Sequence, residues 1–235
     1  MTALSGTELG QSAASAQFLR RVGGIAAVLL GAALLADIAV FAAYVSSTGV
    51  TVPGDNPASQ PAAFAHQLAN GAASPFWIWY LVLAGLAVFA LTTVQSLADE
   101  VTLAGSRMST SALGSAALVV YLLVTITSAT VEREAGSSVL TQSQLATSIP
   151  VLFGVLVPVL LGSFNLLAAA WILAISWDGW RMAVLPRWLS VLGGLTSLVL
   201  LAGVTGSAGI ETLAGPWLIA AGLWMITRPT NRNDL

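Results

Sequence analysis

The chain has 235 residues, of which 57% are hydrophobic and only 8% are charged, whereas an ordinary soluble domain carries about 25% charged residues. Its eight basic residues are all arginine, and with a formal charge of −2 they form no patch that could neutralise nucleic-acid phosphates. It has no lysine, no cysteine and one histidine. One chain therefore cannot supply a retinal Schiff base, an iron–sulfur cluster, a bis-histidine haem or a zinc site built on paired histidines.

The apolar residues fall in six long blocks, and the mean hydropathy is +0.87. A helix needs about 20 apolar residues to cross a hydrocarbon core about 30 Å thick, whereas barrel strands show short alternating runs. The predicted spans are residues 24–46, 76–97, 112–131, 151–175, 188–206 and 212–227. The last block is the shortest, with Trp217 and Trp224 near its ends. The sequence therefore predicts an all-α integral membrane bundle of six transmembrane helices.

The arginines predict the orientation, because cytoplasmic loops retain positive charge. Seven of the eight fall on one side of the predicted membrane: Arg20, Arg21, Arg107, Arg181, Arg187, Arg228 and Arg232. The exception, Arg133, is flanked by Glu132 and Glu134. Both termini are thus expected in the cytoplasm. Residues 1–17 would form a flexible cytoplasmic tail, 18–228 the six-helix domain and 229–235 a second tail.

A long connection on the outer side, residues 47–75, follows the first span. It contains a turn at Val52-Pro53-Gly54-Asp55 and a short amphipathic helix that could begin at Pro61. The loop could act as a lid, a membrane-surface helix, a docking surface or only a cap over helix ends. His66 lies in this loop, where metal or haem binding is not the favoured interpretation.

Two segments carry a resemblance to a known family. The turn Val52-Pro53-Gly54-Asp55 is followed by an alanine-rich stretch and an aromatic-led span. Further along, Leu185-Pro186-Arg187-Trp188-Leu189 precedes Gly193-Gly194. Together they resemble a bacterial membrane family catalogued as domain of unknown function 4386, over most of the chain. The resemblance implies a multi-pass protein of the bacterial cytoplasmic membrane. It implies no catalytic residues, because the shared features are architectural.

Asp37 is the only charged residue near the middle of a predicted span. Charge at membrane depth costs about 2.5–3.5 kcal/mol on insertion scales, which makes Asp37 the first functional candidate. Tyr44 follows on the same helical face, together with Phe41. Asp37 could carry protons or anchor a cationic ligand. Alternatively, it is a packing group that is hydrogen-bonded to a neighbouring helix.

Other polar side chains are candidates for ligand binding or for packing. Tyr121, Thr125 and Ser128 form one stripe on the third span, and Asn165 lies beyond an expected kink at Pro158. Small residues predict close helix contacts at Gly23, Ala27 and Gly31, and again at Ser190 and Gly194. The aromatic residues Trp77, Trp79 and Tyr80 are interpreted as anchors at the headgroup level.

These observations favour a non-catalytic membrane protein. It would be an accessory subunit of a membrane complex or a binder of lipid, quinone or another apolar ligand. Its expected partners are membrane lipids and either another membrane protein or further copies of itself. A small-solute or proton-linked transporter that uses Asp37 is the second hypothesis. An intramembrane enzyme ranks third, because Asp37 and Glu132 are expected at different depths and no catalytic group is visible.

Overall fold

Every regular element in the described part of the chain is a helix. The computed structural model describes residues 6–48, 62, 76–105, 110–136, 142–205 and 209–228. The principal helices are α1 (Gly6–Thr48), α2 (Phe76–Phe89), α3 (Leu91–Leu103), α4 (Thr110–Gly136), α5 (Gln142–Val151), α6 (Val157–Arg181), α7 (Arg187–Ala202) and α8 (Gly215–Thr227). The predicted turn at residues 52–55, the predicted helix at Pro61 and His66 lie outside the described residues.

Five helices in the described residues are long and apolar enough to cross a membrane. They are Gln17–Val40, Trp77–Leu103, Thr110–Glu134, Val157–Arg181 and Ile210–Thr227. The described chain is therefore that of an all-helical, multi-pass membrane protein. Its exposed side chains include many large hydrophobic residues on the outer faces of these helices, where lipid rather than water is the suitable solvent.

The relative lengths of the last two spans differ from the sequence prediction. The last span reaches 18 residues, because the 3₁₀ helix Ile210–Ala214 leads directly into α8. In contrast, α7 has 16 residues and is extended only by the 3₁₀ turn Gly203–Thr205. Pro186 precedes the first residue of α7 and fixes its start.

Two other helix boundaries also differ from the prediction. Helix α1 begins at Gly6, so residues 6–17 are helical where composition predicts a flexible tail. The π-helical turn Leu152–Leu156 joins α5 to α6 immediately before Pro158. Proline has no N–H, and its ring clashes with the carbonyl four residues earlier, so a wider turn relieves the clash. The expected kink at Pro158 therefore takes the form of a π-helical turn.

Helices α1 and α8 cross antiparallel at two pairs of glycines spaced seven residues apart. A Cβ atom on Gly24 would lie 2.8 Å from the carbonyl oxygen of Gly222, and one on Gly31 would lie 2.7 Å from that of Gly215. The two backbones thus touch directly. Ala27 between them is fully buried. The predicted small-residue face of α1 therefore packs against α8.

Gly23, the first residue of that predicted face, approaches α3. The Thr93 hydroxyl donates a hydrogen bond to the Gly23 carbonyl at 2.7 Å. The second predicted small-residue pair, Ser190 and Gly194, does not form a close helix contact, because a Cβ atom on Gly194 would meet nothing within 4 Å. The neighbouring Gly193 packs against Ser176 and Trp217 instead.

The start of the first span, the end of α3 and the end of α8 meet in one ionic cluster. Arg228 donates to a Glu100 carboxylate oxygen at 2.6 Å, and Arg20 lies 3.5 Å from the other oxygen. Arg20 also donates to the Arg228 carbonyl at 2.8 Å. The Arg228 guanidinium lies 5.2 Å from the centre of the Trp224 ring. This end of the bundle is called the arginine end below.

Candidate functional site

Asp37 lies at the other end of the bundle and is held by Trp79 of α2. The Trp79 indole N–H donates to the Asp37 carboxylate at 2.6 Å. Trp79 and Glu100 are 21 residues apart on one helical span, which places this contact about 30 Å from the arginine end. Trp79 was interpreted from the sequence as a membrane anchor. The structure shows that it is also the hydrogen-bond partner of the candidate carboxylate.

Glu211 is a second carboxylate at the same end, and sequence reasoning missed it. Its side chain is only 8% exposed. One carboxylate oxygen accepts a hydrogen bond from the Gly209 backbone N–H at 3.0 Å, whereas the other is buried and has no partner among the described residues. Asp37, Tyr121 and Glu211 lie near enough to one another for the charge of each carboxylate to influence the other groups. This group of Asp37, Trp79, Tyr121 and Glu211 is called the carboxylate site.

The predicted stripe on α4 points into the protein. Tyr121, Thr125 and Ser128 are all buried. The Tyr121 ring packs on Phe164 of α6, with ring centres 4.9 Å apart. The Thr125 hydroxyl donates to the backbone carbonyls of Tyr121 and Leu122, at 3.1 and 3.0 Å. Tyr121 lies near the two carboxylates, while Thr125 satisfies its hydroxyl on its own helix.

Asn165 connects α6 to the end of α7. Its side-chain amide donates to the Gly203 carbonyl at 3.0 Å, and the residue is fully buried. Its carbonyl oxygen has no hydrogen-bond partner in the described residues. The hydrogen bond therefore joins α6 to the 3₁₀ turn that follows α7. The side chain of Tyr44, the remaining candidate, lies outside the described residues.

The cavity between the helices of the described part of the chain is small. The cavity among α1, α3, α4, α6 and α8 has a volume of about 40 Å³ and is lined almost entirely by apolar side chains, including Val94, Phe164 and Trp171. A water molecule needs about 10–15 Å³ of such space, so this cavity has room for a few water molecules at most. A larger groove of about 450 Å³ lies on the outside, between α6 and α7.

The carboxylate site offers groups that carry charge and bind protons. Among the described residues, no arginine pairs with Asp37 or Glu211, and no group of three or more histidine, aspartate or glutamate side chains could hold a metal ion. The site could bind a proton or a small cation.

No family model matches this chain, and no curated protein or solved structure is similar to it. The resemblance to domain of unknown function 4386 therefore stays a prediction from the sequence. The functional argument rests on the geometry of the described residues.

Proposed function

We propose that this protein is a non-catalytic membrane protein that makes its functional contacts at its lipid-facing surface. It would bind lipid, quinone or another apolar ligand there, or the helices of a complex in which it is an accessory subunit. The small volume of the cavity between the described helices is the observation that carries this proposal. Ligand pockets typically measure about 300–1,000 Å³, and the interior cavity of about 40 Å³ is far below that range.

The polar groups of the interior support the same function. The Trp79–Asp37 hydrogen bond, the Asn165–Gly203 bridge and the contact of Thr93 with Gly23 each join two helices. Such contacts stabilise a bundle in lipid, where unpaired polar groups are costly. Polar side chains that serve as structural links between helices need no substrate to explain them.

We also propose six crossings with both termini in the cytoplasm, as in the six-helix family that the sequence resembles. Successive crossings alternate in direction, and the glycine contacts make α8 antiparallel to α1. If α1 is the first crossing and α6 the fourth, α6 is antiparallel to α1, and α8 therefore runs in the same direction as α6. The chain must then cross the membrane once in the opposite direction between α6 and α8, and α7 is the helix that does so. The positive charge of the arginine end favours the cytoplasmic side.

Mild-detergent purification from the native membrane, with mass spectrometry of bound proteins and small molecules, tests the proposal. A stoichiometric protein partner or a defined bound lipid or quinone is the expected result. A bundle that carries neither, and that moves protons or solutes when reconstituted alone into liposomes, would contradict it.

A small-solute or proton-linked transporter is the second candidate. It is favoured by the pair of carboxylates, Asp37 and Glu211, and by the unpaired oxygen of Glu211. Liposomes that contain a pH-sensitive dye would report proton flux driven by a potassium-diffusion potential. A transporter that works through Asp37 would lose flux in Asp37→Asn, whereas Asp99→Asn, an exposed acid at the arginine end, would keep it.

A further inference from the structure

We propose that the groove between α6 and α7 binds an anionic phospholipid, with the headgroup phosphate at Arg181 and an acyl chain along the apolar part of the groove. This inference rests on the proposed function, because it names the ligand and the place of a surface contact. The groove has a volume of about 450 Å³, which is within the usual range for ligand sites. Its lining comprises Leu173, Ser176, Trp177, Trp180, Arg181, Ser190, Val191 and Gly194.

The apolar part of the groove is open down to the backbone. A Cβ atom on Gly194 would meet no other atom within 4 Å, although the residue lies in the middle of α7. Leu173 and Val191 flank this gap and are half exposed. A helix face left open between two packed helices accepts a flexible hydrocarbon chain, which needs no hydrogen-bonding partner.

Two hydroxyl groups in the groove have no partner in the described structure. The side chains of Ser176 and Ser190 are 3% and 4% exposed, and neither hydroxyl makes a hydrogen bond with another described residue. A buried hydroxyl without a partner is unfavourable. Both hydroxyls are covered by the packed helices, and Ser176 lies against Gly193, so the groove offers a lipid an apolar wall here rather than hydrogen-bond donors.

The charge of the groove favours an anionic headgroup. Arg181, the last residue of α6, is exposed and forms no ion pair with any described acidic residue. The neighbouring Trp177 and Trp180 are also exposed, and such rings prefer the headgroup level of a bilayer. A basic residue near an anionic membrane surface contributes about 1 kcal/mol, which corresponds to roughly a fivefold preference for an anionic lipid.

Native mass spectrometry of the full-length protein in detergent tests this site with phosphatidylglycerol and with phosphatidylcholine of the same acyl chains. We expect a preference of about fivefold for phosphatidylglycerol in the unmodified protein. Arg181→Gln should abolish the preference, whereas Arg21→Gln, an exposed arginine outside the groove, should keep it. An equal preference in both variants would overturn the assignment of the headgroup site.

A second pair of variants tests the part of the groove that is proposed to bind the acyl chain of the lipid. Gly194→Leu places a side chain in the gap and should remove the bound lipid. Gly85→Leu is its control, because Gly85 has equally open space but lies on α2, away from the groove. Equal lipid retention in the two leucine variants would overturn the proposal, and so would displacement of the lipid by equimolar inorganic phosphate.

These outcomes are separable from the failure of the proposed function. Lipid, quinone or a protein partner that stays bound in both Arg181→Gln and Gly194→Leu would refute the groove site but keep a surface-binding role. An unmodified protein that retains no ligand or partner and conducts protons would refute the surface-binding role itself.

Discussion

Asp37 keeps its position in an apolar bundle through one hydrogen bond to Trp79. Asp37→Asn retains a side-chain oxygen that can accept this bond, so we expect little change in the free energy of unfolding. Asp37→Leu removes the acceptor and leaves the Trp79 N–H without its partner. That change should lower the free energy of unfolding by about 1–3 kcal/mol. Unfolding in mixed micelles, followed by tryptophan fluorescence, would measure both variants.

Trp79→Phe is the matched control for this pair, because it removes the donor and retains the ring. It should destabilise the protein about as much as Asp37→Leu, and the double variant should cost less than the two single changes added together. Additive losses would show that the hydrogen bond contributes nothing to stability.

The sequence identified Asp37 but neither of the residues that define its surroundings. A single carboxylate inside an apolar block is visible by inspection. Its partner Trp79 is 42 positions away on another helix, and only the packing of α1 against α2 brings the two together. Glu211 was overlooked because the last apolar block was assumed to begin at Thr212, whereas the helical span begins at Ile210. Had the block been extended by two residues, a second carboxylate would have been found.

At the scale of the helices, the crossing of α1 and α8 depends on the absence of side chains. Gly24→Ala would place a methyl group 2.8 Å from the Gly222 carbonyl oxygen, so the two backbones must separate. Overpacking of this kind costs about 1–3 kcal/mol. Gly85→Ala, whose Cβ would meet open space, should be neutral or slightly stabilising. Thermal unfolding of the two variants in the same detergent compares them, and equal melting temperatures would contradict the direct backbone contact.

Glu100 joins three helices at the arginine end. Glu100→Gln would leave Arg20 and Arg228 without their shared carboxylate, and the start of the first span and the ends of α3 and α8 would be held less tightly. We expect a loss of about 1 kcal/mol, the upper part of the range for a partly exposed ion pair. The neighbouring Asp99→Asn is the control, because Asp99 is exposed. Hydrogen exchange should increase at these three segments in Glu100→Gln alone, and a similar increase in both variants would argue against the cluster.

The helices themselves were largely predictable, because a long apolar block has few alternatives to a transmembrane helix. The small residues on α1 also indicated a close contact, although not that α8 would be the neighbour. Local backbone geometry was harder to predict. Pro158 predicts a kink, because it has no backbone N–H. Whether the helix bends there or forms a wider π-helical turn depends on how the neighbouring helices pack against it. The packing of neighbouring helices also decides which glycine of α7 is in contact. Gly193 faces Ser176 and Trp217, whereas Gly194 faces open space.

At the scale of the whole molecule, the direction of α7 decides the number of crossings. The chain has no cysteine, so each introduced cysteine would be its only thiol. Ala183→Cys lies before α7, and Ser207→Cys lies in the sequence after it. If α7 crosses the membrane, a membrane-impermeant maleimide should label Ser207→Cys in intact cells and Ala183→Cys only after the membrane is opened.

Two further cysteines calibrate this experiment. Ala104→Cys, at the end of α3, should behave like Ala183→Cys, and Ser143→Cys, on α5, should behave like Ser207→Cys. If positions 183 and 207 are labelled from the same side, α7 does not cross the membrane and lies within one leaflet. Helix α8 would then run parallel to α1, which is incompatible with the observed pairing of Gly24 with Gly222 and Gly31 with Gly215. The labelling pattern therefore tests the six-crossing proposal and the packing of α1 against α8 together.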